Sequence, residues 1–437
     1  MKRFTALIIC IMILLTGCAS KIQSKELAVA EYPEQAEFPH PNTPWPSHDE
    51  MMVAWHAQND YKDALVTDST GHKDFVKKLV QETLTDNGQN LAFSPADIYF
   101  SLAVLAESTN GSSRQQILDL LSRPDVEALR SDAKNLWNKM YLNDNRKRLV
   151  LANSLWLSDK SDYNAEKLNV IKDEYYSSAF SGDFGAKNYF AKACDWLEQQ
   201  SEGNIDAKSG VMKFDKQSAL ALYSTTAYKA HWNYMFFEDK TVTDVFHSPN
   251  GDAQASFLCR PVSYVDVYYS ETFEATPIYL GDKRESMDVI IPKDNFSIED
   301  VLKDEKAIQY IIGNLDDVSN EKRDMYIYLP KFEMSSSIDL SESFSKLGVT
   351  DLLDPQTADF SGVLNTDSGE YLSLANHLVE FGIDEVGVES TEFMTLTIER
   401  DDGAIVGNAE FKANKPFIFV VRGNGHLPLF VGIVNNP

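Results

Sequence analysis

Apolar residues recur at helical spacing in the first half of this chain and at strand spacing later on. In "GHKDFVKKLVQETL", Phe75, Val76, Leu79, Val80 and Leu84 mark one face of an amphipathic helix. "NLAFSPADIYFSLAVLAEST" predicts a short strand and then a helix, with Ser94 as N-cap and Pro95 at the first helical position. Ile98 to Ala106 is apolar on most sides, so this helix is expected to run buried through the centre. "NYFAKACDWLEQQSEGNI" predicts a helix that turns Tyr189, Ala193, Trp196 and Leu197 inward. "RLVLANSLWLS" and "SALALYSTTAYKAHW" predict long central strands, and "DMYIYLPKFEM" predicts another. "FIFVV" and "LPLFVGIV" are expected to pair through "RGNGH", because Asn-Gly is a strong hairpin signal. Helices first and strands later give an α+β class.

One late stretch carries two messages. Val388, Met394, Leu396 and Ile398 fall on one face of an alternating segment, with Glu389, Thr391, Thr395, Thr397 and Glu399 on the other. This core-like strand runs into Glu399-Arg400-Asp401-Asp402-Gly403, a charged turn that belongs in water.

The N-terminus predicts export. Lys2-Arg3 precede an apolar run from Phe4 to Leu15, too short to span a membrane, so residues 1–17 read as a secretory signal. The ending "LTGC" resembles a bacterial lipoprotein signal, which would make Cys18 the lipidated first residue of the mature protein. An ordinary signal peptide cut nearby is the alternative. Residues 18–48 are acidic and then rich in proline (Pro33, Pro39, Pro41, Pro44, Pro46), which predicts an extended tether. Residues 49–437 show no further break or repeat, so they are expected to form one body. The expected location is outside the cytoplasm, lipid-anchored to a bacterial outer membrane.

Composition narrows the chemistry. Acidic residues (66) outnumber basic ones (40), for a formal charge of −26. Nucleic acid and anionic lipid surfaces need basic patches, so neither is an expected ligand. Of four cysteines, Cys10 leaves with the signal and Cys18 carries lipid; whether Cys194 and Cys259 pair is open. The chain has no G-x-S-x-G, P-loop, H-E-x-x-H or paired CxxC motif, and its histidines lack metal-ligand spacing. Neither a cofactor, a metal nor an enzymatic activity is expected.

Several motifs in order carry a family resemblance. "NLAFSPADIYFSLAVLAESTNGSSRQQILDLL", "CDWLEQQSEGNI", "YKAHWNYMF", "LPKFEMSSSIDLSESFSKLGVTDLLDPQTADFSGV", "HLVEFGIDEVG" and "FKANKPFIFVVRGNGHLPLFVGIVNNP" resemble the serpins over residues 49–437. The resemblance implies an α+β fold of eight to nine helices around three β-sheets with an exposed reactive loop at about 387–403. It also implies a monomer that acts as a suicide substrate for serine endopeptidases, and for cysteine endopeptidases as well. The cut loop would enter the main sheet, which explains a segment written both as core strand and as bait. By resemblance the hinge comprises Glu385, Gly387 and Val388; Ser390 and Thr391 then follow the small-residue habit of inhibitory members, while Glu392 and Phe393 depart from it. Counting from Val388 puts Glu392 on the inserting face. A clasp beneath the sheet would use Ser94 and His377, with Asp97 and Ser224 replacing the family's second serine and asparagine, and with Trp232 at the end of a strand. An Asp–His pair there would make the clasp sensitive to pH; a satisfied core histidine is the other reading. The specificity residue is Arg400 or Asp401, depending on the loop's frame. The alternative function is a non-inhibitory serpin-fold binding protein or a plain protease substrate.

Overall fold

The computed structural model describes residues 24–437 except 41, 145–146, 202, 204–213, 215, 217–218, 282, 366–368, 373–374, 389–408 and 425–427. Among the described residues the helices are α1 (Ser47–Ala64), α2 (Ser69–Thr83), α3 (Pro95–Ser108), α4 (Gly111–Leu120), α5 (Val126–Met140), α6 (Ala165–Tyr175), α7 (Lys187–Gln200), α8 (Ile298–Lys303), α9 (Glu305–Ile311) and α10 (Ser341–Lys346). The strands are β1 (Ser24–Ala28), β2 (Leu91–Phe93), β3 (Leu142–Asn143), β4 (Arg148–Ser158), β5 (Ser177–Gly182), β6 (Leu220–His231), β7 (Val242–Ser248), β8 (Gly251–Tyr269) and β9 (Phe273–Leu280). They continue with β10 (Glu285–Pro292), β11 (Ser319–Pro330), β12 (Phe332–Asp339), β13 (Asn376–Ile383), β14 (Gly387–Val388), β15 (Glu410–Lys412), β16 (Phe417–Arg422) and β17 (Pro428–Val434).

Two sheets sandwich α3. The main sheet runs β1-β5-β4-β6-β14-β13-β12, with β3 added beside β4. The second runs β15-β11-β8-β9-β10-β16-β17-β2, with β7 added beside β8. Every residue of α3 except Ser101 is buried, as its all-round apolar surface predicts. Its N-terminus forms as expected: the Ser94 hydroxyl accepts the Asp97 N–H, and Pro95 follows. In β4 every residue after Arg148 is buried, because both faces of the main sheet are covered. On its far side Trp156 stacks on Phe180 at 4.4 Å. There α7 turns Tyr189, Ala193, Cys194, Trp196 and Leu197 inward, in line with its periodicity.

Three expectations change. The α+β architecture stands, with ten α-helices among the described residues rather than eight or nine. They hold two continuous sheets rather than three, and the 19-residue β8 pairs with β7, β11 and β9. The tether also differs from the reading of residues 18–48 as a free spacer. Residues 24–28 are an edge strand on β5, and the Ala30 N–H donates to Ser178 Oγ at 3.1 Å. Tyr32 packs against Trp137 and Tyr141 at 5.3 and 5.6 Å, and Lys62 Nζ donates to Gln35 Oε1 at 2.7 Å. The Pro-rich part does lack regular structure, as proline dictates, yet its apolar and aromatic residues find partners on the body.

Cys194 lies buried on α7 and Cys259 half-buried on β8; the two do not form a disulfide. Between β10 and β16 an ion pair invisible to pattern reading is sealed inside. Arg422 Nε meets Asp288 Oδ2 at 2.6 Å, and its other nitrogens donate to the carbonyls of Ile311 and Tyr310. Those extra bonds satisfy the guanidinium where water cannot.

Candidate functional site: hinge, seam and clasp

The site begins at the short strand β14. Gly387 pairs with His231 and Val388 with Ala230 on one side, and Val388 pairs with Ile383 on the other. So two residues sit between β6 and β13 at one end of the main sheet. Below them β6 and β13 share no strand pairing among the described residues, which leaves a seam. Gly387 is dictated by close approach: a Cβ would lie 2.1 Å from the Ala230 carbonyl oxygen and 2.8 Å from His231 Cα.

The turn leading into β14 is held from three sides. Asp384 Oδ1 accepts the N–H groups of Val386 and Gly387 at 2.8 and 3.0 Å, closing an Asx turn. Trp232, 2 % exposed, donates its Nε1–H to the Asp384 carbonyl at 2.8 Å and its backbone N–H to the Val386 carbonyl at 2.9 Å. Trp232 was expected with the clasp; the structure places it at the hinge turn. Glu385 takes a hydrogen bond from Thr241 Oγ1 at 2.8 Å and an ion pair from Lys331 Nζ at 2.7 Å. Burial pushes the Glu385 carboxyl up, but the bonds from Lys331 and Thr241 outweigh it and hold the group below the usual carboxylate range.

Six residues down the seam lies the clasp. Ser224 on β6 and His377 on β13 stand level with each other, each six positions below the row of Val388. Both reach the same oxygen of Asp97 on α3: Ser224 Oγ donates to Oδ2 at 2.8 Å, and His377 Nδ1 lies 3.3 Å from it. The backbone N–H of Ser94 donates to His377 Nε2 at 2.8 Å. That bond assigns Nε2 as an unprotonated acceptor, so the imidazole is neutral and its Nδ1–H points to Asp97. Ser94, Asp97, Ser224 and His377 thus meet as the resemblance implies, although Ser94 contributes its backbone N–H while its hydroxyl caps α3. A cavity of about 30 Å³ adjoins them, lined in part by Ile98, Ser101, Leu222 and Ala375.

The site matches a known architecture. A family model described as "Serpin (serine protease inhibitor)" matches residues 70–437. The chain belongs to the serpin family. It is 27% identical over 365 residues to alpha-1-antiproteinase 2 of Equus caballus, covering 80% of this chain and 82% of that protein. To serpin I2 of Homo sapiens it is 26% identical over 380 residues, covering 83% and 90%. Among solved structures, the thermophilic serpin tengpin in its native state superposes with a TM-score of 0.75 at 24% identity, covering 84% of this chain and 93% of that one. Residues 24–69 of this serpin, with β1 and α1, precede the matched region.

Glu392, Arg400, Asp401 and Cys18 lie outside the described residues. Sequence reasoning missed three hinge residues. Asp384 had a local signal, since Asp at the first position of a turn with Gly at the fourth is a turn signature. Thr241 and Lys331 had none, as they meet Glu385 only through the fold.

Two outcomes follow from this geometry. His377→Ala leaves the Ser94 N–H without its acceptor and the buried Asp97 carboxylate with Ser224 as its remaining side-chain donor, so it is expected to cost about 1–3 kcal/mol of native stability. Thermal melting would show a lowered first transition; an unchanged one would mean that His377 is merely accommodated. For Glu385 the folded-state titration lies below the unfolded one, so its stabilisation is complete above the ordinary carboxylate range and is lost as pH falls through the depressed value. Hydrogen exchange of peptide 384–388 should therefore accelerate below about pH 4, relative to intrinsic rates. Glu385→Gln should already show the faster exchange at neutral pH, with no further acid loss.

Proposed function

We propose that this serpin is a suicide-substrate inhibitor of serine endopeptidases, extending to cysteine endopeptidases, that works as a monomer and catalyses nothing itself. One observation supports this most. Gly387 and Val388 are seated as the first two residues of a strand above the seam, and the chain resumes twenty residues later at Ala409, whose carbonyl accepts the Tyr326 N–H. In this reading a protease nucleophile attacks the carbonyl carbon of Arg400, or of Asp401 one residue on. The peptide C–N bond breaks, the leaving amine takes a proton, and an acyl-enzyme ester or thioester remains. The freed segment then zips down between β6 and β13. If it moves the protease before water reaches the acyl bond, the enzyme stays trapped. Arg400 would suit an acidic specificity pocket through a bidentate guanidinium–carboxylate pair. Export and a lipid on Cys18 of an outer membrane complete the proposal.

Antiparallel pairing continued from Val388 brings Glu392 level with Thr226 and Val379, on the inward face. Val379 is 4 % exposed, and the buried Thr226 hydroxyl has no partner among the described residues. One hydroxyl is too little for a buried carboxylate, which needs two or more donors. Glu392 therefore also favours a second reading, a serpin that is cleaved as a substrate without trapping.

Incubation of the mature chain with trypsin-like and papain-like proteases tests the proposal. An SDS-stable adduct, together with a cleaved form that melts well above the intact one, is expected. Cleavage without adduct and without a gain in melting temperature would sink it. Glu392→Ala should lower the number of inhibitor molecules consumed per protease trapped, with little change in the rate of first attack. That gain should shrink in acid, where a carboxyl moved towards burial is protonated. Stopped-flow association and titrated stoichiometry measure both quantities.

A further inference from the structure

The path of the N-terminal segment fixes how the protein would stand on a membrane. Cys18 is only six residues from Ser24, where the chain is already pinned. Fully extended, six residues reach about 20 Å. The thirty-residue spacer suggested by composition is therefore unavailable as long as β1 stays on the sheet.

The pinning has several parts. β1 pairs with β5 from Ser24↔Gly182 to Ala28↔Ala179. Lys192 Nζ on α7 meets Glu26 Oε1 at 2.9 Å. Further along, Tyr32 packs on Trp137, and the buried Lys62 ties Gln35 to the Tyr141 carbonyl at 2.7 and 2.5 Å. Ala36 N–H donates to Gln58 Oε1 on α1 at 2.7 Å.

The sheet register gives the direction. Ser24 pairs with Gly182, Gly182 with Ser158, and the Ser158 N–H donates to the Ala219 carbonyl. This row lies just before the start of β6. Gly387 pairs with His231 at the other end of that 12-residue strand. At ~3.3 Å per residue the two rows are about 40 Å apart. Both ends of the loop segment leave from the far end: Val388 beside Ala230, and β15 beside β11, whose partner β8 places Arg260 against the Tyr234 carbonyl just beyond β6.

The geometry points to a membrane-facing pole at the Gly182 end of the main sheet, which holds the bilayer within about 20 Å of Ser24 and aims the reactive loop directly away from it. This rests on the proposed lipid at Cys18. The local charge permits it: exposed Lys25, Lys160 and Lys187, together with Lys192, stand against Glu26, Asp159 and Asp183, so the acidic excess of the whole chain is not repeated here. The lipid surface reached is that carrying the anchor, and the loop meets proteases arriving from the aqueous side.

The test uses the full, lipidated chain in phosphatidylethanolamine vesicles that carry a rhodamine-labelled headgroup. In a Cys259→Ser background, single fluorophores go on Lys187→Cys, near Gly182, and on Lys240→Cys, beside the Thr241–Glu385 contact. Energy transfer to the lipid should be several-fold stronger from position 187 than from 240. A Gly/Ser spacer of about 20 residues inserted between Ala19 and Ser20 should erase the difference, because such a coil lets the body tumble. Equal transfer from both positions without the spacer, or stronger transfer from 240, overturns the orientation. The anchor is read separately: Cys18→Ala should move to the soluble fraction, and a variant that stays membrane-bound overturns the lipid reading and the orientation with it. Release of Cys18→Ala alongside equal transfer in the lipidated chain leaves the anchor standing and removes only the pole. In that soluble variant, slow hydrogen exchange across Ser24–Ala28 is expected; exchange at unstructured rates would show that the pinning itself is wrong.

Discussion

The seam between β6 and β13 is the constraint on which the rest of this molecule depends. Two central strands lie side by side without pairing to each other among the described residues; Gly387 and Val388 bridge them above and Asp97 below. A backbone group left unpaired in a protein interior costs about as much as a lost hydrogen bond. In the proposed mechanism the seam accepts one more strand, and the clasp and hinge turn would set how readily it does so. Asp97 is well placed for this because it belongs to neither strand. It rises from α3, the buried axis between the two sheets, so opening the seam must break side-chain bonds anchored in the core.

The junctions on either side of this seam are closed. β4 and β6 pair from Arg148↔Lys229 to Leu157↔Leu220, and β12 pairs with β13 along its whole length. Within the second sheet the Arg422–Asp288 pair ties β16 to β10, with the guanidinium also donating to the backbone carbonyls of Ile311 and Tyr310. In the proposed mechanism, movement would be channelled into this one line. A fold that must exchange one packing for another needs such a defined weak plane, since close-packed interiors switch between discrete arrangements rather than deform smoothly.

The N-terminal segment adds a second asymmetry. By joining the sheet at its edge, β1 converts a stretch that composition describes as spacer into part of the body. It docks on the half of the sheet that carries β4, β5 and β6, at the end remote from the hinge. In the proposed arrangement, strand register alone would set attachment and bait at opposite poles.

Much was legible in the sequence because the signals are local. Ser94 and Pro95 announce the start of α3, the all-round apolar run announces its burial, and Gly387 with Asp384 announces a turn. The alternation from Val388 to Ile398 states that this segment suits a core, and the charged turn after it states that it suits water. Ser94, Asp97, Ser224 and His377 could be named by resemblance, but nothing in their spacing reveals that two strands and a helix converge on one carboxylate oxygen. The ties of Lys331 and Thr241 to Glu385, of Asp288 to Arg422 and of Tyr32 to Trp137 were equally silent, because each joins residues far apart in the chain. The fate of residues 24–38 was misread for the same reason: prolines and acids describe a segment in water, and only the open edge of β5 decides that it is not left there. Local propensity and periodicity determine which elements this chain can form; which edge is free, which seam stays open and which charges meet are set when distant elements pack, and only the tertiary structure decided them.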